Sequence, residues 1–349
     1  MLALAEGFGE SPVPALLGRL HPPEVWLRGP DVPPLPPRVT ARLRDPGLAA
    51  EAAAVRRRAE TLGLRVLTPD QPAFPNRLRE AWLGPLVLFA RGDPAALGRL
   101  PALCLVGSRT PTPYGKAAAE QFAHALAGAG VVLWSGLARG IDGIAHHACV
   151  DAGVPTVAVL AGGLDSIYPA EHGRLAQAIV DQGGCLLSAL PPGRRARRGH
   201  FVRRNRLLAA GPPAVLVVEG GLASGALHTA RFAAENDTAV FALPGPWQSE
   251  RSQGCHRLLA EGAMVAESPE GLLRDLGVSG QGTGAQALQL TLCADEQALL
   301  AALANGPRPS DLLQRETGLE RGRFLRALMG LETKGALRRM AGDLWAKTR

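Results

Sequence analysis

The sequence lacks the cysteine pairs, the long apolar runs and the leader that would assign it to several common protein classes. Its five cysteines are odd in number and include no CxxC pair, which argues against a disulfide framework or a zinc site. We expect them to be small buried residues. The longest apolar runs are strand-sized, too short to span a membrane. The N-terminus, MLALAEGFGE, has no basic leader, so we predict no signal peptide, no membrane attachment and a cytoplasmic location.

Motifs of nucleotide-dependent enzymes are also missing. Between Gly107 and Lys116 the glycine spacing differs from that of a Walker A loop, and Ala117 follows the lysine, so there is no sign of ATP hydrolysis. No G-x-G-x-x-G follows a strand, the GQGTG near residue 280 lies in no strand-to-helix context, and no carboxylates have metal-site spacing. We therefore predict no cofactor, no metal and no catalytic residues, hence a protein that is not an enzyme.

The central part of the chain alternates between short apolar runs and amphipathic stretches. The runs cover residues 103–107, 131–136, 156–161, 184–190, 214–221, 239–245 and 264–267. Most of them are separated by helical segments, and this alternation predicts an α/β fold with a doubly wound parallel sheet. In such a sheet, functional loops lie at the carboxyl ends of the strands.

Composition divides the chain into four parts. Residues 1–64 are rich in Leu, Ala, Pro and Arg and predict a small helical (SAM-like) domain; residues 65–276 form the α/β domain; residues 277–293 read as a Gly- and Gln-rich linker. Residues 294–349 predict three helices and a hairpin, with Phe324, Leu328 and Leu331 on one helix face, as in a winged helix. Winged helices serve both as duplex DNA-binding modules and as protein-contact domains, and the sequence leaves both open.

The positive charge of the chain is concentrated in one segment. Residues 194–206, RRARRGHFVRRNR, hold seven arginines, equal to the net charge of +7 of the whole protein. Clustered cations attract phosphate backbones, and Phe201 within the cluster offers a ring for a base to stack on. The alternative is a solvated basic loop or a localisation patch.

Three glycine-containing loops follow predicted strands, at residues 106–115, 135–142 and 224–230. Such loops at helix starts are typical of phosphate sites. Arg109 and Arg139 each lie on one of them, where they would either face an anion or pair with a carboxylate such as Asp165. Asp142 and His146 are four residues apart on a predicted helix, and we expect them to form a hydrogen-bonded pair that fixes the loop, in preference to an acid/base pair.

Seven sequence blocks occur in an order that resembles the bacterial DNA processing protein A family, also called Smf. The blocks are VGSR (106–109), SGLARGID…AH (135–146), GGLDSIYP (162–169), F-x-RRNR (201–206), SGALHTA (224–230), LPG (243–245) and G-x-x-x-LLAEGA (254–263). The resemblance covers residues 65–275 most clearly.

The resemblance implies an extended Rossmann-like fold and a homodimer that binds single-stranded DNA, protects it during natural transformation and loads the RecA recombinase. It also implies the DNA-binding residues. These are Gly107, Ser108, Arg109, Arg198, Phe201, Arg203, Arg206, Ser224 and Gly225; Arg139, predicted from its glycine-containing loop, completes the set of ten.

A second hypothesis is a nucleotide phosphoribohydrolase on a related Rossmann-like fold. It depends on residues 219–221 (EGG), on Ser224-Gly225 and on Glu235, which faintly match the PGG-x-GT…E pattern of such enzymes. The proline and the GT pair of that pattern are missing. Release of a base from a nucleoside monophosphate would support this alternative.

Overall fold

The computed structural model describes residues 45–81, 84–278, 294–303, 308–333, 337–340 and 344–347. The chain divides into two compact units, residues 1–281 and residues 282–349. The first 44 residues and positions 279–293, which hold most of the expected helical domain and linker, lie outside the described residues. The boundaries assigned to those two segments therefore stay predictions.

The first unit contains nine strands and nine α-helices among its described residues. The strands are β1 (Arg65–Leu67), β2 (Leu88–Gly92), β3 (Ala102–Val106), β4 (Val132–Ser135), β5 (Thr156–Val159), β6 (Cys185–Ser188), β7 (Ala214–Val217), β8 (Ala239–Ala242) and β9 (Met264–Val265). The helices are α1 (Leu48–Thr61), α2 (Asn76–Glu80), α3 (Pro113–Gly128), α4 (Ile141–Asp151), α5 (Gly173–Asp181), α6 (Arg198–Ala210), α7 (Gly225–Ala234), α8 (Gln253–Ala260) and α9 (Pro269–Asp275).

The sheet confirms the doubly wound architecture. Its strand order is β1-β2-β6-β5-β4-β3-β7-β8-β9, and the pairs from β6 through β9 are all parallel. Strands β1 and β2, which the apolar runs did not predict, extend the sheet in antiparallel pairing beyond β6. The order reverses direction between β3 and β7, and a crevice at such a switch point is the usual ligand site of an open α/β sheet.

Strand β3 shows why the sheet is covered on both faces. All five of its residues are buried, and alternate side chains belong to two different hydrophobic clusters. Cys104 and Val106 pack in the cluster that contains Leu207 and Leu208 of α6, whereas Leu103 and Leu105 pack with helix α3. A continuous apolar run is what a strand buried on both faces requires.

Helix α1 packs against the sheet of the first unit. Ala59 is fully buried in a cluster with Leu64 and Phe89. The side chain of Arg58 donates to Asp165 Oδ2 at 2.8 Å, and Asp165 Oδ1 accepts from the Gly193 backbone N–H at 2.8 Å. Helix α1 therefore helps to fix the loop that leads into the basic segment.

The second unit confirms the predicted winged helix. It contains α10 (Ala294–Ala302), β10 (Arg308–Pro309), α11 (Ser310–Thr317), α12 (Arg321–Thr333), β11 (Leu337–Met340) and β12 (Leu344–Lys347). Phe324, Leu328 and Leu331 lie together in its core with Trp345, as their spacing predicts. Strands β11 and β12 pair antiparallel; residues 341–343, the predicted hairpin turn, lie outside the described residues.

Candidate nucleic-acid interface

A groove of about 720 Å³ lies at the switch point between β3 and β7. Three segments form most of it: the turn at residues 106–110 after β3, one face of α6, and residues 221–226 after β7. Seven of the ten predicted DNA-binding residues line it: Gly107, Ser108, Arg109, Arg198, Phe201, Ser224 and Gly225. The carboxyl ends of the parallel strands thus bring together loops that are more than a hundred residues apart in sequence.

The turn after β3 is shaped by its first two residues. A Cβ on Gly107 would collide with Ile141 Cδ1 and would lie 2.9 Å from the Glu219 carbonyl oxygen, so only glycine lets the turn lie this close to both neighbours. The Ser108 hydroxyl accepts from the Thr110 backbone N–H at 3.2 Å and from Arg251 at 3.0 Å. The turn is therefore held from within, and Arg109 projects from it.

Arg109 lies over the ring of Phe201. Its guanidinium carbon is 5.0 Å from the ring centroid, a cation–π distance. The ring of Tyr168 approaches Phe201 edge-on, with centroids 6.1 Å apart. A cation and an aromatic surface are thus preorganised at the same point of the groove.

The arginine-rich segment forms a helix for most of its length. A solvated basic loop is the alternative that the sequence leaves open for this segment, but residues 198–210 form α6, so most of the segment is helical. At 3.6 residues per turn only one side of α6 faces the groove, and this side carries Arg198, Phe201 and Asn205.

Arg203 and Arg206 lie on other sides of α6 and are outside the set of described residues that line the groove. Arg206 instead lies over the ring of Phe232, with its guanidinium carbon 5.0 Å from the centroid. The geometry therefore separates these two arginines from the other members of the predicted set, and their contact with DNA stays a prediction.

Arg204, which the sequence analysis did not single out, is buried in the floor of the groove. It is 6% exposed, its Nη1 lies 3.8 Å from Asp142 Oδ2, and it donates to the Val159 carbonyl at 3.2 Å. Among the described residues, its Nε has no hydrogen-bond partner. Burial lowers the pKa of Arg204, and Asp142 opposes that shift. Its place three residues after Phe201, on the same helix face, was the signal that could have revealed it.

Gly136 makes room for this buried ion pair. A Cβ at this position would overlap Nη1 of Arg204 and would lie 2.6 Å from Asp142 Oδ2. The next residue, Leu137, is fully buried with φ +56°, a left-handed conformation that is costly for a branched side chain. The turn after β4 thus holds a strained backbone where it passes under Arg204.

The expected hydrogen bond between Asp142 and His146 is wrong. Asp142 pairs with Arg204, whereas the Nδ1 atom of His146 lies 2.9 Å from Thr156 Oγ1. His146 is fully buried, and this burial is the main reason that its pKa falls from 6.5 to about 3. It is a neutral core histidine.

We expect this histidine to make the protein sensitive to acid. Below the ordinary pKa of histidine, the unfolded chain binds a proton that the folded chain excludes. The contribution of this group to the free energy of unfolding therefore decreases by about 1.4 kcal/mol for each unit by which the pH is lowered. His146→Leu removes that contribution. Urea unfolding at about pH 7 and about pH 5 should therefore show a smaller acid loss in the variant than in the wild type; equal losses would contradict the assignment.

Arg139 lies beside the groove, already paired with a carboxylate. Its guanidinium donates two hydrogen bonds to Glu171, at 2.6 and 2.7 Å. Asp165, the carboxylate named above as a possible partner, instead accepts from Arg58. Arg139 lines a second, smaller pocket that adjoins the groove at Arg109 and Phe201. The charge of Arg139 is therefore paired with that of Glu171 at the surface.

The start of α7 supplies backbone donors at the opposite wall of the groove. Ser224 is the N-cap residue, and its hydroxyl accepts from the Ala226 backbone N–H at 3.3 Å. Asn205 of α6 donates to the Gly225 carbonyl at 3.1 Å, which ties the two groove-lining helices together. The positive end of the α7 dipole therefore faces the same space as Arg109.

Glu219, on which the hydrolase alternative depends, is engaged in holding the turn. It is 2% exposed, and its carboxylate accepts from both the backbone N–H and the hydroxyl of Thr112. A Cβ on Gly115 would meet the same carboxylate. The acid thus caps the start of α3, and the arrangement does not favour that alternative.

Four of the five cysteines, Cys104, Cys149, Cys185 and Cys255, are buried, as expected; Cys293 lies outside the described residues. Burial raises the pKa of Cys149 to about 12.

In the described part of the chain, no group of three potential metal ligands comes together. None of the described helices is long and apolar enough to cross a membrane.

Comparison with known proteins assigns the family. The family model for DNA recombination-mediator protein A matches residues 65–277, and that for the DprA winged helix domain matches residues 284–343. A relative in Mycobacterium tuberculosis, described as DNA processing protein DprA, is 39% identical over 291 residues, which is 78% of this chain and 74% of the relative. DNA processing protein DprA of Bacillus subtilis is 36% identical over 214 residues, 61% of this chain and 72% of its own length.

Two solved structures share the fold. DNA processing protein A of Streptococcus pneumoniae superposes with a TM-score of 0.60 at 33% identity, over 66% of this chain and 82% of that one. DNA processing protein A of Helicobacter pylori, studied for its single-stranded DNA binding mode, superposes with a TM-score of 0.54 at 30% identity, over 61% of this chain and 95% of that one. Because the first family model spans more than half of the sequence, this chain belongs to the DNA recombination-mediator protein A family.

Proposed function

We propose that the protein binds single-stranded DNA in the groove between β3 and β7. The observation that carries this proposal is the placement of Arg109 over Phe201 between two backbone turns, with the N-terminus of α7 opposite. Cations that follow a phosphate backbone, together with an aromatic ring that accepts any base, are the elements of single-strand binding without base readout. Family membership supports the same conclusion.

The groove favours a single strand over a duplex. Stacking on Phe201 requires an unpaired base, because a paired base presents only its edges in the grooves of a duplex. The proposed contacts are the turn at residues 107–109, the side chains of Arg198 and Phe201, and the turn at Ser224 and Gly225. Arg139 would reach a phosphate only by leaving Glu171.

The direct test compares single- and double-stranded oligonucleotides of equal sequence in mobility shifts with the full chain. We expect tighter binding of the single strand, and an affinity that falls steeply with salt as counterions are released. Equal affinity for both forms would contradict the groove assignment and would direct attention to the winged helix as a duplex-binding module. Release of base from nucleoside monophosphates would instead support the hydrolase alternative.

Phe201→Ala provides a prediction specific to stacking. Loss of one stacked base costs about 1–3 kcal/mol, and the substitution also removes the ring that positions Arg109. We expect the affinity for single strands to fall by about tenfold or more without a new sequence preference, measured by fluorescence anisotropy. Phe201→Tyr, which keeps the ring, serves as the matched control; equal weakening in both variants would contradict a stacking role.

The wider role in this proposal follows the family. We infer a cytoplasmic, non-enzymatic mediator that protects incoming single strands, loads the RecA recombinase and acts as a homodimer during DNA processing. These parts depend on the family resemblance, and each has its own readout. Sedimentation would report the dimer, and RecA filament formation on strands coated with a single-strand-binding protein would report loading.

A further inference from the structure

The loop after β8 continues the wall of the groove. Residues 243–252 connect β8 to α8, and we call this segment the β8 loop. Because β7 and β8 are parallel, the loop leaves the sheet at the same edge as the turns that form the groove. Arg251, near the end of the loop, is one of the residues that line the groove. The β8 loop is therefore a direct extension of the proposed DNA site.

Arg251 adds a cation that the sequence analysis did not single out. Its Nη1 donates to Ser108 Oγ at 3.0 Å and to the carbonyl and hydroxyl oxygens of Thr110, both at 2.6 Å. These acceptors are neutral, and among the described residues Arg251 forms no ion pair with a carboxylate. Arg139, in contrast, is paired with Glu171. The charge of Arg251 is therefore available to a phosphate in the groove.

Trp247 lies exposed on the same loop. It is 78% exposed, the highest value among the large apolar residues that the structure describes. Residues 246–249, PWQS, carry no charge, so the surface that this turn offers is the indole ring itself. An indole ring presents a large, rigid contact area with only two rotatable side-chain bonds. Its exposure leaves the ring accessible to an unpaired base.

Two consecutive turns fix the β8 loop before DNA binds. The Ser249 backbone N–H donates to the Pro246 carbonyl at 3.0 Å, and the Ser252 backbone N–H donates to the Ser249 carbonyl at 2.9 Å. Trp247 is a central residue of the first turn and Arg251 of the second. A ring held on a closed turn loses little conformational entropy when a base stacks on it.

The β8 loop is also tied to the turn after β7. The Gly220 backbone N–H donates to the Arg251 carbonyl at 2.8 Å, and a Cβ on Gly221 would lie 3.2 Å from the Glu250 carbonyl oxygen. Gly221 itself lines the groove. The β8 loop therefore forms the edge of the groove on the side of β8.

We propose that Trp247 is a second stacking platform, on which the bound strand stacks one further base after it passes Arg109 and Arg251. Arg109 and Phe201 supply a cation for a phosphate and a ring for a base. Arg251 and Trp247 repeat this combination, which binds single strands without base readout. A single strand is the occupant because the β8 loop is continuous with the groove and because Arg251 is complementary to a phosphate. The inference rests on the proposed single-strand binding and lengthens the bound segment.

The test measures affinity as a function of strand length. Anisotropy titrations use the full chain with oligo-dT of about 4 to about 16 nucleotides, the range of site sizes of single-strand-binding folds. We expect Trp247→Ala to bind the shortest strands as wild type does, because the turn after β3 and Phe201 hold such strands without the β8 loop. For the longest strands we expect a loss of about 5- to 150-fold, which corresponds to one stacked base.

Leu222→Ala is the matched control. Leu222 is 61% exposed and lies between two residues that line the groove, Gly221 and Ala223. The substitution therefore removes another exposed apolar side chain from the rim of the groove, but one without a ring. We expect it to retain wild-type affinity at every strand length.

Tryptophan fluorescence gives an independent readout. A base stacked on an indole ring quenches the emission of that ring, and Trp134 and Trp345, 1% and 6% exposed, are too buried to stack. We expect long oligo-dT to quench the emission of wild type and to quench that of Trp247→Phe much less. Every other tryptophan is the same in the two proteins, so the difference reports Trp247. Because it keeps a ring, Trp247→Phe should bind long strands more tightly than Trp247→Ala.

The possible results separate the second platform from single-strand binding itself. Wild-type affinity of Trp247→Ala for the longest strands, or quenching that survives in Trp247→Phe, overturns the second platform and leaves the groove in place. Equal losses in Leu222→Ala and Trp247→Ala overturn a stacking role. A lighter species of Trp247→Ala in sedimentation, with unchanged affinity for DNA, assigns the ring to a contact between protein chains and also overturns the proposal. Failure of wild type to bind any single strand overturns the proposed function instead.

Discussion

Arg204→Ala should lower the free energy of unfolding by about 3–5 kcal/mol, because it leaves a buried carboxylate without its cation. Asp142 and Arg204 are each 6% exposed, and their nearest charged atoms are 3.8 Å apart. The side chain also fills the floor of the groove, so the variant should bind single strands more weakly. Urea unfolding followed by circular dichroism measures the first effect, and anisotropy titration measures the second.

The loss of stability expected in Arg204→Ala depends on pH, and the direction of this dependence can be predicted. Burial raises the pKa of Asp142 from 3.8, and Arg204 opposes the rise, so removing Arg204 raises that pKa further. A carboxyl group with a raised pKa in the folded state contributes stability below its unfolded pKa and loses it as pH rises through the folded pKa. The deficit of Arg204→Ala should therefore shrink as pH falls from about 7 to about 5.

A double variant separates the charge from the space it occupies. Asp142→Leu combined with Arg204→Met replaces both charges by apolar groups, which is often close to neutral for stability. We expect the double variant to recover most of the stability lost in Arg204→Ala while DNA binding stays weak. A double variant as unstable as Arg204→Ala would show that packing, and not the unpaired carboxylate, dominates.

Arg109→Ala should weaken binding of a single strand by about 10- to 150-fold, because a hydrogen bond to a charged group is worth about 1.5–3 kcal/mol. Loss of one phosphate contact should also reduce the slope of log affinity against log salt by about 0.7. Titrations at several salt concentrations measure both quantities. Stability should change little, since Arg109 is exposed.

Arg203→Ala is the matched control, because it removes the same charge from a position on α6 that lies outside the groove lining. We expect its effect on affinity to be several-fold smaller than that of Arg109→Ala. Equal losses in the two variants would indicate that Arg203 contacts DNA as the family resemblance implies, or that general positive charge governs binding, and either result would contradict a site confined to the groove. Wild-type affinity in Arg109→Ala would remove the central contact of the proposed site.

The parallel strands of the sheet could be predicted because burial on both faces leaves a local pattern in the sequence. A strand buried on both faces must be apolar throughout, and the seven runs identified in the sequence coincide with β3 to β9. Strands β1 and β2 escaped detection since polar residues such as Arg65 and Arg91 shorten their apolar runs. Their place depends on pairing with β6, a contact between distant parts of the chain.

The basic segment shows where sequence reasoning stops. Its composition correctly indicated a cationic surface, but arginines give no apolar period from which to recognise a helix. Once the segment folds as α6, its helical geometry assigns Arg198 to the groove, Arg204 to the interior and Arg206 to the ring of Phe232. Charge could be counted from the sequence, whereas the direction of each side chain required the tertiary structure.

The groove exists only when the two halves of the sheet are joined, because β3 and β7 pair directly although four crossovers separate them along the chain. A single DNA strand bound across the β3–β7 pair would contact both halves of the sheet. It would therefore contribute to the stability of the whole domain. At a free DNA concentration one hundred times Kd, this linkage amounts to about 2.7 kcal/mol. Bound DNA would therefore stabilise the folded protein, and the protein should resist proteolysis better with DNA bound than without it.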